Sequence, residues 1–293
     1  MDGAALPALL LLVVGLGGCI QPAPPGDAEP GTANLQSTPT PDASPSASAS
    51  PTSSGSSSPP VSGSIHPGTE LLVDGGRHHC TAGFLLQTPD GSHSFVATAG
   101  HCFYAGAPGD PVTCASRLPS PDGARGSVSA RLPQGDLPVG RFVYVSFAAM
   151  QERATVDPFG CYYDDFALVE LDAAAAAQAS PAFPDGTVPT RLRTAGVEAG
   201  TRLRAATFVP QRALVGEAVA NPAYRSPMVT AALGVACLPG DSGAPVIDSQ
   251  GDAVGLVLTQ PALMPEACGI GLLAPLLAEA EAALGTRLVL AAA

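Results

Sequence analysis

Apolar and polar positions divide the chain into stretches with three different patterns. Residues 5–18 are almost wholly apolar, too short for a secure membrane span and of the length of a signal-peptide core. Residues 21–64 are dominated by Pro, Ser, Thr, Ala and Gly. Burial there cannot offset the entropy of ordering the chain, so a disordered tether is expected, with a flexible reach of about 35–40 Å. From about residue 70, short runs rich in Val, Phe, Tyr and Leu alternate with Gly, Pro and Asp turns, as at 141–147, 201–209 and 252–259. Many short strands with turn signals predict an all-β unit of barrels or a sandwich. Residues 173–179, a run of alanines ending in Gln178 and Ala179, read as a connection between two halves or as one short helix. Residues 275–284 read as an amphipathic helix: Leu276, Leu277, Ala280 and Leu284 share a face, with Pro275 at its start and Gly285 after it.

Composition narrows the function classes. The chain has 293 residues, a net charge of −12, no Trp and 5% aromatics, and arginine is its only strong base. Nucleic-acid binding rests on basic surface that neutralises phosphates, so it is disfavoured, as is polybasic docking to anionic lipid. The acidity fits a soluble, exposed protein. Seven cysteines are present. Setting Cys19 aside leaves six, an even number suited to disulfides in an oxidising compartment, with 15 possible pairings. A metal site at His78-His79-Cys80 is a weak reading, because no second ligand pair accompanies it.

The candidate chemistry lies in three separated runs. Pro239-Gly240-Asp241-Ser242-Gly243-Ala244-Pro245 places a serine on a glycine-flanked turn, where a carbonyl can approach the main chain closely. Thr98-Ala99-Gly100-His101-Cys102 supplies an imidazole, and Asp164-Asp165-Phe166-Ala167-Leu168 supplies carboxylates. A serine hydroxyl becomes a nucleophile when an imidazole takes its proton, and the imidazole needs a carboxylate to fix its tautomer. Strand alternation points Asp164 and Asp165 to opposite faces, so one of them can reach the imidazole. An esterase of the α/β type is disfavoured, since Ala244 stands where its nucleophile elbow has Gly and the histidine precedes the serine.

These runs, in the order His101, Asp165, Ser242, resemble the chymotrypsin/trypsin-like serine peptidases. The secreted bacterial branch of streptogrisins and α-lytic protease is the most similar. Cys80-Thr81-Ala82-Gly83-Phe84, Phe95 to Cys102, and Cys268-Gly269-Ile270-Gly271 carry the likeness, which spans roughly residues 70–290. The resemblance implies two antiparallel six-stranded β-barrels with a C-terminal helix. Barrel 1 would cover about 70–175, barrel 2 about 185–275 and the helix about 275–285, within a peptidase domain of 65–293. It makes Ser242 the nucleophile and His101 the base. Asp165 is preferred to Asp164 as the orienting acid because it directly precedes Phe166-Ala167-Leu168.

Further roles follow from the same resemblance. The N–H groups of Gly240 and Ser242 would form the oxyanion hole, and Asp241 would be a buried structural acid. No Ile-Val-Gly-Gly run is present to supply a new N-terminus, so Arg193, Arg202 or Arg204 is expected to pair with Asp241. The implied disulfides are Cys80–Cys102 and Cys237–Cys268, which leaves Cys114–Cys161 as the third pair. Leu16-Gly17-Gly18-Cys19 resembles a bacterial lipobox. It implies a signal peptide at 1–18, a lipid anchor on Cys19, a tether at 19–64, and a protein held on the outside of a bacterial membrane.

The reading is therefore an exported serine endopeptidase acting on polypeptides, monomeric, with no cofactor, no metal and no nucleic-acid partner. Val235 and Ala236 bring no acid to the pocket wall, so a small or apolar side chain is preferred over Lys or Arg. Two positions depart from the family: Leu258 replaces a serine that supports the catalytic aspartate, and Gln260 replaces a pocket-lining glycine. These departures favour the alternative, a catalytically weak or inactive surface module that uses the protease fold for binding.

Overall fold

The computed structural model describes residues 63–73, 75–76, 78–103, 128–146, 164–209, 214–220, 231–259 and 266–292. The signal peptide, Cys19, nearly all of the tether, the Cys114–Cys161 pair and Gln260 lie outside the described residues. The described part is all-β with two sheets and a C-terminal helix.

The first sheet is built from β1 (Glu70–Val73), β2 (His78–Thr81), β3 (Leu85–Gln87), β4 (Ser94–Thr98), β5 (Val128–Leu132), β6 (Gly135–Val145) and β7 (Ala167–Leu171). The alternation of apolar side chains sets their faces; in β5, Val128, Ala130 and Leu132 point inward. A β-strand near the C-terminus, β14 (Val289–Leu290), completes an eight-stranded sheet in the order β14-β3-β4-β7-β6-β5-β1-β2. Eight strands stand here where the resemblance implies six, and the two-residue β14, paired with β3 at one edge, is one of the two additional strands.

The second sheet contains β8 (Arg202–Ala205), β9 (Leu214–Ala220), β10 (Ala231–Leu233), β11 (Pro245–Asp248), β12 (Ala253–Thr259) and β13 (Cys268–Leu272). They close as a six-stranded antiparallel barrel, β10-β13-β12-β11-β8-β9, around Leu203, Leu214, Leu233, Val246, Val254 and Ile270. Closure leaves no unpaired strand edge, and the β11–β12 and β12–β13 registers each shift once, at Val246/Ile247 and Val257/Thr259.

The connector between the sheets begins with one short helix, α1 (Ala173–Ala176), capped by Asp172, whose carboxylate accepts the Ala175 N–H at 2.8 Å. Ile65, fully buried, donates its N–H to Gln178 O and accepts from Ser180 N, so the segment entering β1 is tied to this connector. The C-terminal helix α2 (Leu273–Leu284) begins two residues before the sequence reading places it. Pro275 fits its first turn, where a missing N–H costs nothing, and Gly285 ends it in the left-handed region at φ 66°. Leu276, Leu277 and Ala280 face the core shared with Phe84, Phe166 and Leu168 of the first half. The helix thus packs across the junction, against β12 and β13 of the second barrel and β6 of the first sheet.

Candidate active site

Three chain segments converge between the two sheets. Beyond the end of β4 the chain tightens into a single 3₁₀ turn, Gly100–Phe103, which presents His101 with a side-chain exposure of 27%. Cys102 on that turn is bonded to Cys80 of β2, fixing it to the neighbouring strand. Gly100 packs closely: a Cβ there would lie 3.0 Å from Asp165 Oδ1 and 3.0 Å from Phe166 N, tighter than most real Cβ contacts. Asp165 lies two residues before β7 and is 4% exposed, followed by the fully buried Phe166.

His101 is bonded on three sides. Its backbone N–H donates to Asp165 Oδ1 at 2.7 Å, and its Nδ1 lies 2.5 Å from Asp165 Oδ2. Nε2 lies 2.8 Å from Ser242 Oγ. A carboxylate partner makes Nδ1 the protonated nitrogen of the neutral ring, which leaves Nε2 to accept from the serine hydroxyl. Burial pulls the His101 pKa down, but the charge of Asp165 and its hydrogen bond outweigh that and hold it above 6.5. Both carboxylate contacts of His101 go to Asp165; Asp164, also buried, has its carbonyl bound by Ser146.

Ser242 sits on a turn with two glycines in the left-handed region, Gly240 at φ 99° and Gly243 at φ 88°. A Cβ on Gly243 would come within 2.3 Å of Thr98 Oγ1 and 2.4 Å of Thr81 O. Neither the Gly240 nor the Ser242 N–H donates to any described residue. Those two amides are therefore open to an oxyanion. Cys237, ahead of this turn, is bonded to Cys268 of β13.

Asp241 is completely buried and accepts from Thr207 Oγ1 at 2.8 Å and Leu238 N at 2.7 Å. The expected arginines point elsewhere. Arg193 pairs with Asp248 at 2.8 Å, Arg204 pairs with Asp185 at 2.6 Å, and Arg202 is exposed. Each of the first two has a nearer carboxylate, and the third is left in water. Leu258 is 2% exposed and belongs to the core cluster that contains most of the first half.

The sequence reading missed three hydroxyl residues around the site. Buried Ser146 donates to Asp164 O at 2.7 Å and accepts from Phe166 N at 2.9 Å, clamping the peptides on both sides of Asp165. Buried Thr81 and half-buried Thr207 bind the Ser242 turn. No local motif marks them, because each acts on backbone or carboxylate distant in sequence. Sulfur and imidazole atoms of Cys80, Cys102 and His101 lie within 4.8 Å of one another. The two sulfurs are bonded together, so they offer no thiolate to a metal. His79 instead sits 2.6 Å from Glu70.

A family model described as the trypsin-like peptidase domain matches residues 81–256. No curated protein matches the chain in sequence. Among solved structures, Protease A of Thermobifida fusca is 17% identical, with 78% of this chain and 99% of that one covered and a TM-score of 0.45. A Glu endopeptidase is 15% identical, with 75% and 91% covered and a TM-score of 0.49. A protease of M. tuberculosis in its active form is 15% identical, with 82% and 96% covered and a TM-score of 0.43.

Proposed function

Because the chain belongs to the trypsin-like peptidase domain family, we propose that it is an exported serine endopeptidase working through Ser242, His101 and Asp165. The observation that carries this reading is the imidazole of His101, with Asp165 Oδ2 at 2.5 Å on one nitrogen and Ser242 Oγ at 2.8 Å on the other.

The proposed chemistry proceeds by acyl transfer. His101 Nε2 takes the Ser242 hydroxyl proton as Oγ bonds to the scissile carbonyl carbon, and the carbonyl π electrons move onto oxygen. The N–H groups of Gly240 and Ser242 donate to that oxyanion; losing one such donor raises the barrier by about 3 kcal/mol. Asp165 accepts from Nδ1–H and stabilises the imidazolium. As the oxyanion collapses, His101 gives its proton to the leaving amine and the C–N bond breaks. Water, deprotonated by the same nitrogen, then attacks the ester, releasing the acid and restoring Ser242. Asp241, buried under the turn, holds Leu238 N and Thr207 and so shapes it.

The finer points of the reading belong to the same proposal. Val235 and Ala236 support a preference for small or apolar side chains. A lipid on Cys19 and the Pro/Ser/Thr-rich tether would hold a monomeric catalytic domain off the outer face of a membrane, acting on polypeptides. Among the described residues no helix is long and apolar enough to cross a membrane.

The test is labelling of wild type and Ser242→Ala with a fluorophosphonate at pH 8, followed by intact mass. One adduct on wild type and none on the variant is the expected result. No adduct on folded, disulfide-bonded wild type would put the binding-module reading ahead. Casein and short esters then separate peptidase from esterase.

A further inference from the structure

Thr81 follows the half-cystine Cys80 on β2 and is completely buried. Each of its polar groups points at the catalytic loops. Its N–H donates to Ser242 O at 2.8 Å, and its hydroxyl donates to Gly240 O at 2.7 Å. Its carbonyl accepts from Thr98 Oγ1 at 2.9 Å, at the end of the strand that leads to His101. One residue of the first sheet thus grips the Ser242 turn, which belongs to the second half, on either side of Asp241.

The consequence follows from peptide planarity. The Gly240 carbonyl is coplanar with the Asp241 N–H, which donates to Leu238 O at 3.0 Å. The Ser242 carbonyl is coplanar with the Gly243 N–H, which donates to Val257 O at 2.7 Å. Both peptide planes are therefore pinned at both ends, and Thr81 supplies one pin to each. Gly240 needs this most, since φ 99° is one of several conformations that glycine visits with little cost. A backbone N–H would be present whatever residue stood at 81. Only a hydroxyl residue provides the second donor, so the choice of Thr is what locks Gly240.

We infer that Thr81 is a positioning residue for the oxyanion-binding turn: its hydroxyl holds the Gly240–Asp241 peptide so that the Gly240 and Ser242 N–H groups stay open to the developing oxyanion. This rests on the peptidase reading above. It also explains how the turn and the His101 loop keep register across the junction of the two sheets, through Thr98 to Thr81 to Gly240.

The experiment compares wild type, Thr81→Val, Thr81→Ala and Thr81→Ser, with Ser242→Ala as the blank. The readouts are the second-order rate of fluorophosphonate labelling, kcat and KM for p-nitrophenyl acetate, and the thermal midpoint, with rates taken well below unfolding. Complete loss of one oxyanion donor costs about 10²–10³ in kcat, so a misplaced donor should cost about 10- to 100-fold. That fall is expected in both the labelling rate and kcat for Val and for Ala, with KM within about threefold and Ser within about threefold of wild type in every rate. Val removes the hydroxyl at similar volume, whereas Ala leaves space beside the Gly240 carbonyl, so either one suffices if the other does not fold. Folded Val or Ala protein that labels as fast as wild type overturns the inference, as does a Ser variant as slow as Val. A lower thermal midpoint with unchanged rates per folded molecule also overturns it, since that is what a merely structural role gives. An unlabelled wild type strikes instead at the peptidase reading, so the two failures are separable.

Discussion

At the scale of single residues, the most exposed consequence of the geometry is the pH dependence. In the role proposed above His101 acts as a base when neutral, and Asp165 holds its pKa above 6.5 against the opposing pull of burial. Activity should therefore appear as pH rises through a midpoint above the ordinary histidine value. The stability linkage runs the other way. A folded-state pKa raised above the unfolded one contributes stability that is fully present below about 6.5 and is lost as pH rises through the folded value. The proposed activity would thus appear where this ion pair contributes least to the fold. Asp165→Asn should lower the midpoint of the labelling rate, as burial then acts alone, and lower kcat at pH 8 by about 10⁴-fold. A variant with the wild-type profile would remove Asp165 from the role proposed here. Much of this scale was legible in the sequence, because Ser242, His101 and Asp165 each sit in a local run. Thr81, Ser146 and Thr207 were not, since they act on groups 159, 18 and 34 residues away that no local pattern announces. The arginines assigned to Asp241 failed for a related reason: sequence offers charges but not distances, and Asp248 and Asp185 claim two of them.

Among the elements, legibility follows periodicity. The helix α2 was readable because its apolar spacing, its early proline and its terminal glycine agree, and the structure differs from the reading by two residues at one end. The strands at 141–147, 201–209 and 252–259 were readable as runs; the last two each contain an observed strand, while 141–147 covers only the final five residues of β6. What pairs with what was not, because pairing in a sheet is a tertiary property; β14, two residues long, carries no period at all. Yet α2 and β14 are what tie the end of the chain to the first sheet. Leu276 is fully buried on the face that meets that sheet, and Leu288 N bonds Glu281 Oε1 at 2.7 Å where the chain turns back. Leu276→Ala should cost about 2–5 kcal/mol of stability, read as a lower midpoint in urea. Its labelling rate per folded molecule should stay near that of wild type, because the helix touches none of the three site residues. A loss of rate in folded protein would show that the helix positions the site as well as stabilising it.

For the whole molecule, the site exists only where two sheets meet, so its integrity depends on whatever holds them together. Disulfides act within each side: Cys80–Cys102 closes a span of 22 residues around the His101 turn, and Cys237–Cys268 a span of 31 beside the Ser242 turn. Each contributes about 3 kcal/mol in the chain-entropy model, and neither crosses between the sheets. Among the described residues, crossing rests on hydrogen bonds from Thr81, the His101–Ser242 hydrogen bond, the shared core that takes in Leu256 and Leu258, and the connector. Ile65 matters here out of proportion to its place at the start of the described chain. It is fully buried, and its backbone pairs with Gln178 and Ser180 of the connector. Just before it, Gly63 O accepts from Gln134 Nε2 at 2.9 Å, and the spacer proposed above would end there. A chain starting at residue 63 should therefore match the full chain in thermal midpoint and in labelling rate. One starting at residue 70 loses Ile65 with both its backbone bonds and should be less stable by about 2–5 kcal/mol. Equal midpoints for the two would mean that Ile65 merely lies against the connector, and a fall already at residue 63 would mean that the tether is part of the folded unit.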